Sequence, residues 1–271
     1  MDSSLSQFTE FLSSLELSEL SLYRDAVNTE ILKKLPKKLS PGPGVGSVSK
    51  STANQVLNVT PHNIDDYISY NENFIDGTVK DLVSSEIDCL NFNRHTRSSK
   101  LQNCFLSEFS DPYVWASANG PVVNNPKHIN NFPVIKNIMK SINETYKCNL
   151  NSVLITYYRD GASKIPLHDD SEDTIDSCQP ICVLSLGVNR VIQFVGKDQD
   201  SYRSIAKSLD PDDSSLYIMK AGCQDLFLHR VRMDKRIKGE RVSLSFRCFV
   251  PPVNRTVADT VSTPLTSKSS N

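Results

Sequence analysis

The chain has 271 residues, 38% of them hydrophobic, and 30 lysines and arginines nearly balance 31 aspartates and glutamates. This length suffices for one domain of about 200 residues with additional segments. The net charge of −1 excludes a uniformly basic nucleic-acid binder, so any such surface must be a local patch.

The sequence shows no pattern typical of a secretory signal peptide or of a membrane-spanning segment. The N-terminus lacks the basic start and apolar stretch of a signal peptide, and no apolar run reaches the ~18 residues of a membrane span. The seven cysteines are scattered without a CxxC pair, which favours reduced thiols. We therefore expect an intracellular protein, in the cytoplasm or nucleus.

The two ends of the chain differ from its middle. Residues 1–36 form a predicted helical extension, because apolar residues recur there at steps of three and four. Two such helices must dock on the main domain, dimerise or bind a protein partner. Residues 37–55 are rich in Lys, Ser, Pro and Gly and predict a flexible linker, and residues 253–271 predict a disordered tail. The working domain is thus predicted at 56–252.

Within that domain, helical patterns give way to short β segments. Helices are predicted at 74–86 and at 133–148, the second beginning with a proline in its first turn. Short apolar runs separated by glycines then predict a sandwich or jelly roll. The predicted strands are 153–158, 181–186, 190–195, 215–219, 225–230 and 242–250.

Two histidines stand out among the five in the chain. His168 lies two residues before Asp170, and residues at this spacing on a strand point to the same face. His-x-Asp alone is a weak signal, since an exposed acidic loop explains it equally well. His229 ends an apolar β run, where a histidine requires a specific role.

The last predicted strand contains RVSLSFR, residues 241–247. Alternation places both arginines and both serines on one face, and the apolar residues on the other. Arg241 and Arg247 are costly to bury without an anion, and the gap between them suits a five-carbon dicarboxylate. The alternative is an edge strand whose arginines are solvated.

Five motifs in this order resemble the AlkB family of dealkylating oxygenases. They are YYRDG (157–161), HDD (168–170), LSLG (184–187), His229 and RVSLSFR (241–247). The resemblance implies an α+β fold with a double-stranded β-helix (jelly roll) core and flanking helices. It also implies an Fe(II)- and 2-oxoglutarate-dependent dioxygenase that oxidatively removes alkyl groups from bases of DNA or RNA.

The resemblance also implies roles for individual residues at the metal and the co-substrate. His168, Asp170 and His229 would hold Fe(II), a donor set that leaves coordination positions open for 2-oxoglutarate and O2.

Arg241 would pair with the distal carboxylate of 2-oxoglutarate, Tyr158 would donate a hydrogen bond nearby, and Arg247 would lie toward the metal. The family often has asparagine where this chain has Thr156 and Ser243. Both replacements are short and polar, so we expect co-substrate binding to survive.

Two segments are candidates for contact with alkylated, single-stranded or flipped nucleic acid. In the family, a lid before the core strands covers the base, so Tyr113 and Trp115 are candidates for stacking; the alternative is ordinary packing. Glu172 matches an acidic position that contacts the damaged base and would favour a cationic methylated base.

The second segment, residues 230–241, has six basic residues and could bind phosphates, with Arg236 and Lys238 as candidates. The alternative for this segment is a solvated turn.

Two other functions remain open at this point. The same scaffold could oxidise a protein side chain or another substrate, because fold and iron site do not fix the substrate. The chain could also be a catalytically silent module that binds nucleic acid or a partner.

Overall fold

The computed structural model describes residues 63–92, 101–117, 120–197 and 205–251. The predicted helical extension, the linker and the tail lie outside these residues, so those assignments and the domain boundaries stay predictions. No helix of the described part is long and apolar enough to cross a membrane. All seven cysteines are described, and all are free.

Strands dominate the described residues, and three helices accompany them. The helices are α1 (Gly77–Asp88), α2 (Pro133–Tyr146) and the short α3 (Cys223–Leu226). The strands are β1 (Ile68–Asn71), β2 (Gln102–Ser107), β3 (Tyr113–Ser117), β4 (Gly120–Asn124), β5 (Pro126–His128), β6 (Ser152–Tyr158), β7 (Ile165–His168), β8 (Ile181–Gly187), β9 (Ile192–Gly196), β10 (Ile205–Leu209), β11 (Ser215–Met219), β12 (Phe227–Val231) and β13 (Arg241–Arg247).

These strands form two main sheets and a separate hairpin. The larger sheet has the order β1-β11-β8-β13-β6-β2-β5, and the smaller has the order β10-β9-β12-β7. Pairing is antiparallel except between β2 and β5. Strands β3 and β4 pair only with each other. Apart from β9 and β10, the neighbours in each main sheet are not consecutive along the chain, and the predicted α+β jelly-roll class is confirmed.

Two clusters of buried apolar side chains hold the helices and the two main sheets together. The first joins α1 and α2 to one face of the larger sheet, with Val83, Ile138 and Leu244 fully buried. The second fills the space between the two sheets, with Tyr158 and Phe194 among its members. The inner strands β6, β8, β11 and β13 of the larger sheet are therefore buried on both faces, whereas its edge strands β1 and β5 are partly exposed.

Several boundaries differ from those expected from sequence. Helix α1 begins at Gly77 rather than at residue 74, because the Asp76 side chain accepts a hydrogen bond from Val79 N and caps the helix there. Helix α2 begins at Pro133 as predicted, and it ends at Tyr146 because Lys147 adopts a left-handed conformation (φ 56°). Strand β12 begins two residues late because α3 precedes it directly.

Glu86 joins the two larger helices. Its carboxylate oxygens accept hydrogen bonds from Val134 N (2.8 Å) and Ile135 N (2.9 Å), two amides in the first turn of α2. These amides otherwise lack intrahelical partners, so Glu86 caps α2 from α1. Burial raises the pKa of Glu86 from 4.5 to about 7.

The raised pKa of Glu86 predicts a pH-dependent stability. The folded protein binds the proton more tightly than the unfolded chain, so the stabilisation is complete below pH 4.5 and is lost as pH rises through about 7. We expect the free energy of unfolding to fall by on the order of 2 kcal/mol between about pH 5 and about pH 8. Urea unfolding across this range should show a smaller slope for Glu86→Gln. Glu144→Gln, at an exposed position of α2, is the control, and equal slopes for wild type and Glu86→Gln would contradict the assignment.

Candidate active site

Two histidines face each other across neighbouring strands of the smaller sheet. In the antiparallel pairing of β7 with β12, His168 and His229 are register partners. Side chains at such positions share a face of the sheet, with Cβ atoms about 4.5–5.5 Å apart. The ring centroids are 4.2 Å apart. Sheet register thus brings together two residues that are far apart in sequence.

Asp170 reaches the same point by a different route. Strand β7 ends at His168, so strand alternation does not orient Asp170 as expected from sequence. Instead, Asp170 N donates to Gln224 Oε1 (3.0 Å), and Arg247 Nη2 donates to Asp170 Oδ1 (3.0 Å). Asp170 Oδ1 lies 3.8 Å from His168 Nε2, and Oδ2 lies 3.7 Å from His229 Nε2. One donor atom from each of the three residues fits within a mutual distance of 4.8 Å.

Protonation states in this cluster suit a metal ion. His168 Nδ1 lies 2.9 Å from Pro166 O, which can only accept, so Nδ1 carries the proton and the Nε2 lone pair is available. Burial and the neighbouring His168 lower the pKa of His229 to about 3, which keeps that ring neutral. Burial opposes ionisation of Asp170, but the charge and the hydrogen bond of Arg247 hold its pKa below the ordinary value. Two imidazole nitrogens and one carboxylate are a donor set that fits Fe(II).

Arg247 connects the carboxylate to the β3–β4 hairpin. Its side chain is buried, and Nη1 donates to the Tyr113 hydroxyl (2.5 Å) while Nη2 contacts Asp170. Burial opposes its charge, but Asp170 and Tyr113 raise the pKa of Arg247 above its ordinary value. Arg247 therefore holds the carboxylate in place and balances its charge.

The other arginine of β13 lies at a second polar position. Arg241 is 1% exposed and its guanidinium lies over the Tyr158 ring, 5.0 Å from the centroid. Nη2 donates to Ser185 Oγ (2.7 Å), but Nε and Nη1 have no hydrogen-bond partner in the described part of the chain. Two unpaired donors on a buried cation call for an anion. A carboxylate of 2-oxoglutarate fits this requirement.

The two departures from the family pattern lie opposite each other. Thr156 and Ser243 are register partners in the pairing of β6 with β13, two residues along the strands from the pair of Tyr158 and Arg241. Both line the central cavity. Because Thr156 and Ser243 are neighbours and are shorter than the asparagines often found there in the family, the extra space that they leave is at a single place in the cavity.

A cavity of about 860 Å³ joins the metal-ligand cluster to Tyr158, Thr156 and Ser243. Arg241 does not line this cavity itself and lies over the ring of Tyr158, which does. This volume suits a small ligand with a second group beside it, since pockets for small molecules are typically about 300–1,000 Å³. Ten of the site residues predicted from sequence line this cavity: Tyr113, Trp115, Thr156, Tyr158, His168, Asp170, Glu172, His229, Ser243 and Arg247. Arg236 and Lys238 are exposed outside it; Arg236 pairs with Asp234 (2.6 Å) and Lys238 Nζ donates to Lys235 O (2.9 Å).

The two aromatic residues of β3 have different surroundings. Tyr113 is 1% exposed and packs against Phe105, Phe249 and Trp115, so little of its ring is open to a ligand. Trp115 is half-buried and lines both the cavity and a neighbouring groove. Of the two, Trp115 offers the accessible stacking surface.

Glu172 places a second carboxylate in the cavity. Burial and the nearby Asp170 raise its pKa above the ordinary value. Its Oε2 atom is inaccessible to solvent and has no hydrogen-bond partner among the residues described. The Tyr113 hydroxyl hydrogen-bonds to the same carboxyl group, so Oε2 is the atom left to face a donor or a cation of a ligand.

Two residues at the site were missed from sequence. Tyr217 on β11 lines the cavity, and burial raises the pKa of its hydroxyl, which interacts with Arg241. A tyrosine within the aliphatic run SLYIM was the available signal for it. Gln224, which positions Asp170, carries no such signal because its role depends on where α3 lies.

Comparison with known proteins agrees with this geometry. The family described as "2OG-Fe(II) oxygenase superfamily" matches residues 88–247. The chain is 29% identical over 133 residues to the Rattus norvegicus protein "Alpha-ketoglutarate-dependent dioxygenase alkB homolog 3", covering 47% of this chain and 45% of that protein. It is 29% identical over 134 residues to the Bos taurus protein "DNA oxidative demethylase ALKBH2", covering 48% of each.

These matches are partial. The chain spans about half the length of the curated relatives it matches. The solved structure described as "The structure of OsALKBH1" aligns with a TM-score of 0.46 and 18% identity, covering 66% of this chain and 97% of that one. The family match nevertheless extends over more than half of the chain and agrees with the predicted Fe(II) and 2-oxoglutarate. This protein belongs to the 2OG-Fe(II) oxygenase superfamily, and the two relatives named above are AlkB homologues.

Proposed function

We propose that this chain is an Fe(II)- and 2-oxoglutarate-dependent dioxygenase that removes alkyl groups from nucleobases of DNA or RNA. The observation that carries the proposal is the unpaired, buried Oε2 of Glu172 in the cavity that His168, Asp170 and His229 also line. This acceptor suits a cationic methylated base such as 1-methyladenine or 3-methylcytosine. The names of the two relatives, a dioxygenase and a DNA oxidative demethylase, support the same chemistry.

In this proposal each side chain has a limited task. His168, Asp170 and His229 hold Fe(II), and Arg247 keeps Asp170 ionised and oriented. The bound metal, 2-oxoglutarate and O2 together supply the oxidation of a C–H bond in the alkyl group.

The co-substrate is held at the opposite end of the cavity. Arg241 pairs with its distal carboxylate, and Tyr158 donates a hydrogen bond beside it. Thr156 and Ser243 contact it from β6 and β13. The apolar layer between the sheets excludes water from the reacting atoms.

The base reaches the cavity only when it is single-stranded or flipped out of a duplex. Trp115 then stacks on it from the β3–β4 hairpin, and Glu172 contacts its cationic edge. The exposed Arg236 and Lys238 lie on a loop with a local excess of basic residues, where they bind phosphates. The proposed compartment is the cytoplasm or nucleus, with which a nucleic-acid substrate and the seven free thiols are compatible.

The experiment measures formaldehyde and succinate from the Fe(II)-loaded full chain with methylated single-stranded DNA and RNA oligonucleotides. Formaldehyde from cationic bases, exceeding that from neutral N6-methyladenine, supports the proposal. Succinate from another substrate, with none from oligonucleotides, supports the protein-directed alternative. Metal and 2-oxoglutarate binding without turnover supports the silent module.

Substitution of the two substrate-facing residues gives a sharper prediction. We expect Trp115→Ala to raise KM for the oligonucleotide by roughly tenfold or more, since stacking on an aromatic ring is worth about 1–3 kcal/mol per base. Glu172→Ala should reduce turnover of cationic bases selectively. Val123→Ala, at an exposed position on the same hairpin, is the control for both. Unimpaired demethylation of 1-methyladenine by Glu172→Ala would remove Glu172 from base recognition.

A further inference from the structure

Arg190 is a second fully buried arginine, in the turn between β8 and β9, and it is 1% exposed. Its guanidinium donates to the backbone carbonyls of Asp160, Ser163 and Arg232, and more weakly to that of Gly161. Every acceptor that the described residues offer it is a neutral carbonyl. Hydrogen-bonded dipoles therefore solvate the positive charge of Arg190, and the carboxylates of Asp160 and Asp234 act on it only through space.

The position of this charge connects it to the proposed co-substrate site. The Arg190 guanidinium lies 5.7 Å from the centroid of the Tyr158 ring, and Arg241 lies 5.0 Å from the same centroid. One tyrosine thus contacts two buried guanidinium groups. The Nε atoms of both arginines have no hydrogen-bond partner in the described part of the chain. Burial and the neighbouring charge of Arg241 lower the pKa of Arg190.

Two buried cations around one ring are unfavourable by themselves. A guanidinium does not lose its proton in a protein, so neither arginine relieves the repulsion by becoming neutral. Buried like charges cost free energy unless an opposite charge joins them. An anion at Arg241 therefore interacts favourably with both arginines, directly with Arg241 and through space with Arg190.

A purely structural role for Arg190 is the competing explanation. Its hydrogen bonds fasten the segment after β6 to the segment after β12, and Gly161 exchanges two backbone hydrogen bonds with Asp234 and Ile237 at the same place. The packing there is tight, since a Cβ on Gly161 would lie 1.8 Å from Asp234 O. The backbone bonds already hold the two segments together, so Arg190 is not needed for that purpose alone.

We propose that Arg190 is a positioning residue of the co-substrate pocket, which fixes the Tyr158 ring and supplies a second positive charge for the distal carboxylate of a dicarboxylic 2-oxo acid. This inference rests on the proposed function, because it assumes that Arg241 binds that carboxylate. Arg190 does not line the cavity and acts through Tyr158 and through its charge.

The test compares two ligands that differ only in the distal carboxylate. Calorimetry on the Mn(II)-loaded full chain measures Kd for 2-oxoglutarate and for 2-oxopentanoate, which has the same five carbons but a methyl group at the distal end. We expect Arg190→Gln to weaken 2-oxoglutarate binding by roughly tenfold or more, while Kd for 2-oxopentanoate changes by less than about twofold. Arg190→Lys, which keeps the charge, should recover part of the loss.

Controls separate the possible outcomes. Lys140→Gln removes one positive charge from an exposed position on α2 and should alter neither Kd. Equal weakening of both ligands by Arg190→Gln means a structural role and overturns the inference, as does unchanged binding of 2-oxoglutarate. Should Arg190→Gln fail to fold, the test passes to Arg190→Lys, which must weaken binding of 2-oxoglutarate more than binding of 2-oxopentanoate; equal effects on both acids overturn the inference. A wild-type protein that binds neither acid contradicts the proposed function itself, which is a different failure.

Discussion

Replacing Asp170 with alanine should abolish turnover and weaken divalent metal binding by more than about 100-fold, because even residues that merely orient metal ligands contribute about 10–100-fold. Asp170 is the one carboxylate of the proposed triad, and it also balances the buried charge of Arg247. Its loss leaves that charge unpaired, which should lower the free energy of unfolding by about 3–5 kcal/mol. Calorimetric titration with Mn(II) and urea unfolding measure the two effects.

The neighbouring carboxylate provides the matched control for Asp170. Asp169 pairs with Lys197 (2.6 Å) and with Ser171 Oγ instead of facing the histidines. Asp169→Asn should therefore retain metal affinity to within a small factor. Metal affinity at the wild-type level in Asp170→Ala would contradict the assignment of Asp170 as a ligand. An equal loss of metal affinity in Asp169→Asn would contradict it too, because the acidic loop as a whole would then attract the ion.

Replacing Arg241 with methionine should have the largest effect on the co-substrate. Removing one member of a buried, hydrogen-bonded charge pair costs about 2–5 kcal/mol, so we expect Kd for 2-oxoglutarate to rise by roughly 30-fold to several-thousand-fold. Mn(II) affinity should stay unchanged, because Arg241 does not contact the triad residues in the described hydrogen bonds. Calorimetry with each ligand separates these two quantities.

The matched control for Arg241 is Lys140→Met, which exchanges an exposed cation for the same side chain. Arg241→Lys should be intermediate, because lysine keeps the charge but loses the planar fork that binds a carboxylate with two parallel hydrogen bonds. If Arg241→Met bound 2-oxoglutarate as tightly as the wild type, the unpaired Nε and Nη1 atoms would have to serve another anion.

Local periodicity accounts for the parts of the fold that the sequence predicted well. The alternation in residues 241–247 is borne out by β13: Val242, Leu244 and Phe246 belong to the cluster that includes α1 and α2, and the arginines point the other way. Strand β7 was missed, because IPLH is short, contains a proline and is only partly buried. The strands between residues 102 and 128 were also missed, since their burial patterns are irregular and one of their pairings is parallel.

The residues of the candidate site also differ in whether a local sequence motif or a long-range contact identifies them. His168, Asp170, His229 and the two arginines were predicted because each lies in a short motif. Gln224, Tyr217 and Arg190 were not, because their roles follow from which strands and turns become neighbours. Such contacts depend on sheet order and register, which a single sequence does not encode in any local pattern.

The register of β7 against β12 has a mechanical consequence. Strand β7 is four residues long, lies at the edge of its sheet and pairs with β12 across an irregularity next to His229. If β7 shifted by one residue against β12, the His168 side chain would point to the opposite face of the sheet. A metal ion bound by both histidines opposes this shift and stabilises the pairing of the edge strand β7 with β12. When the metal is removed, β7 should be the first strand to lose its pairing. Its amide hydrogens should then exchange faster, whereas exchange in the central strands of the larger sheet should change less.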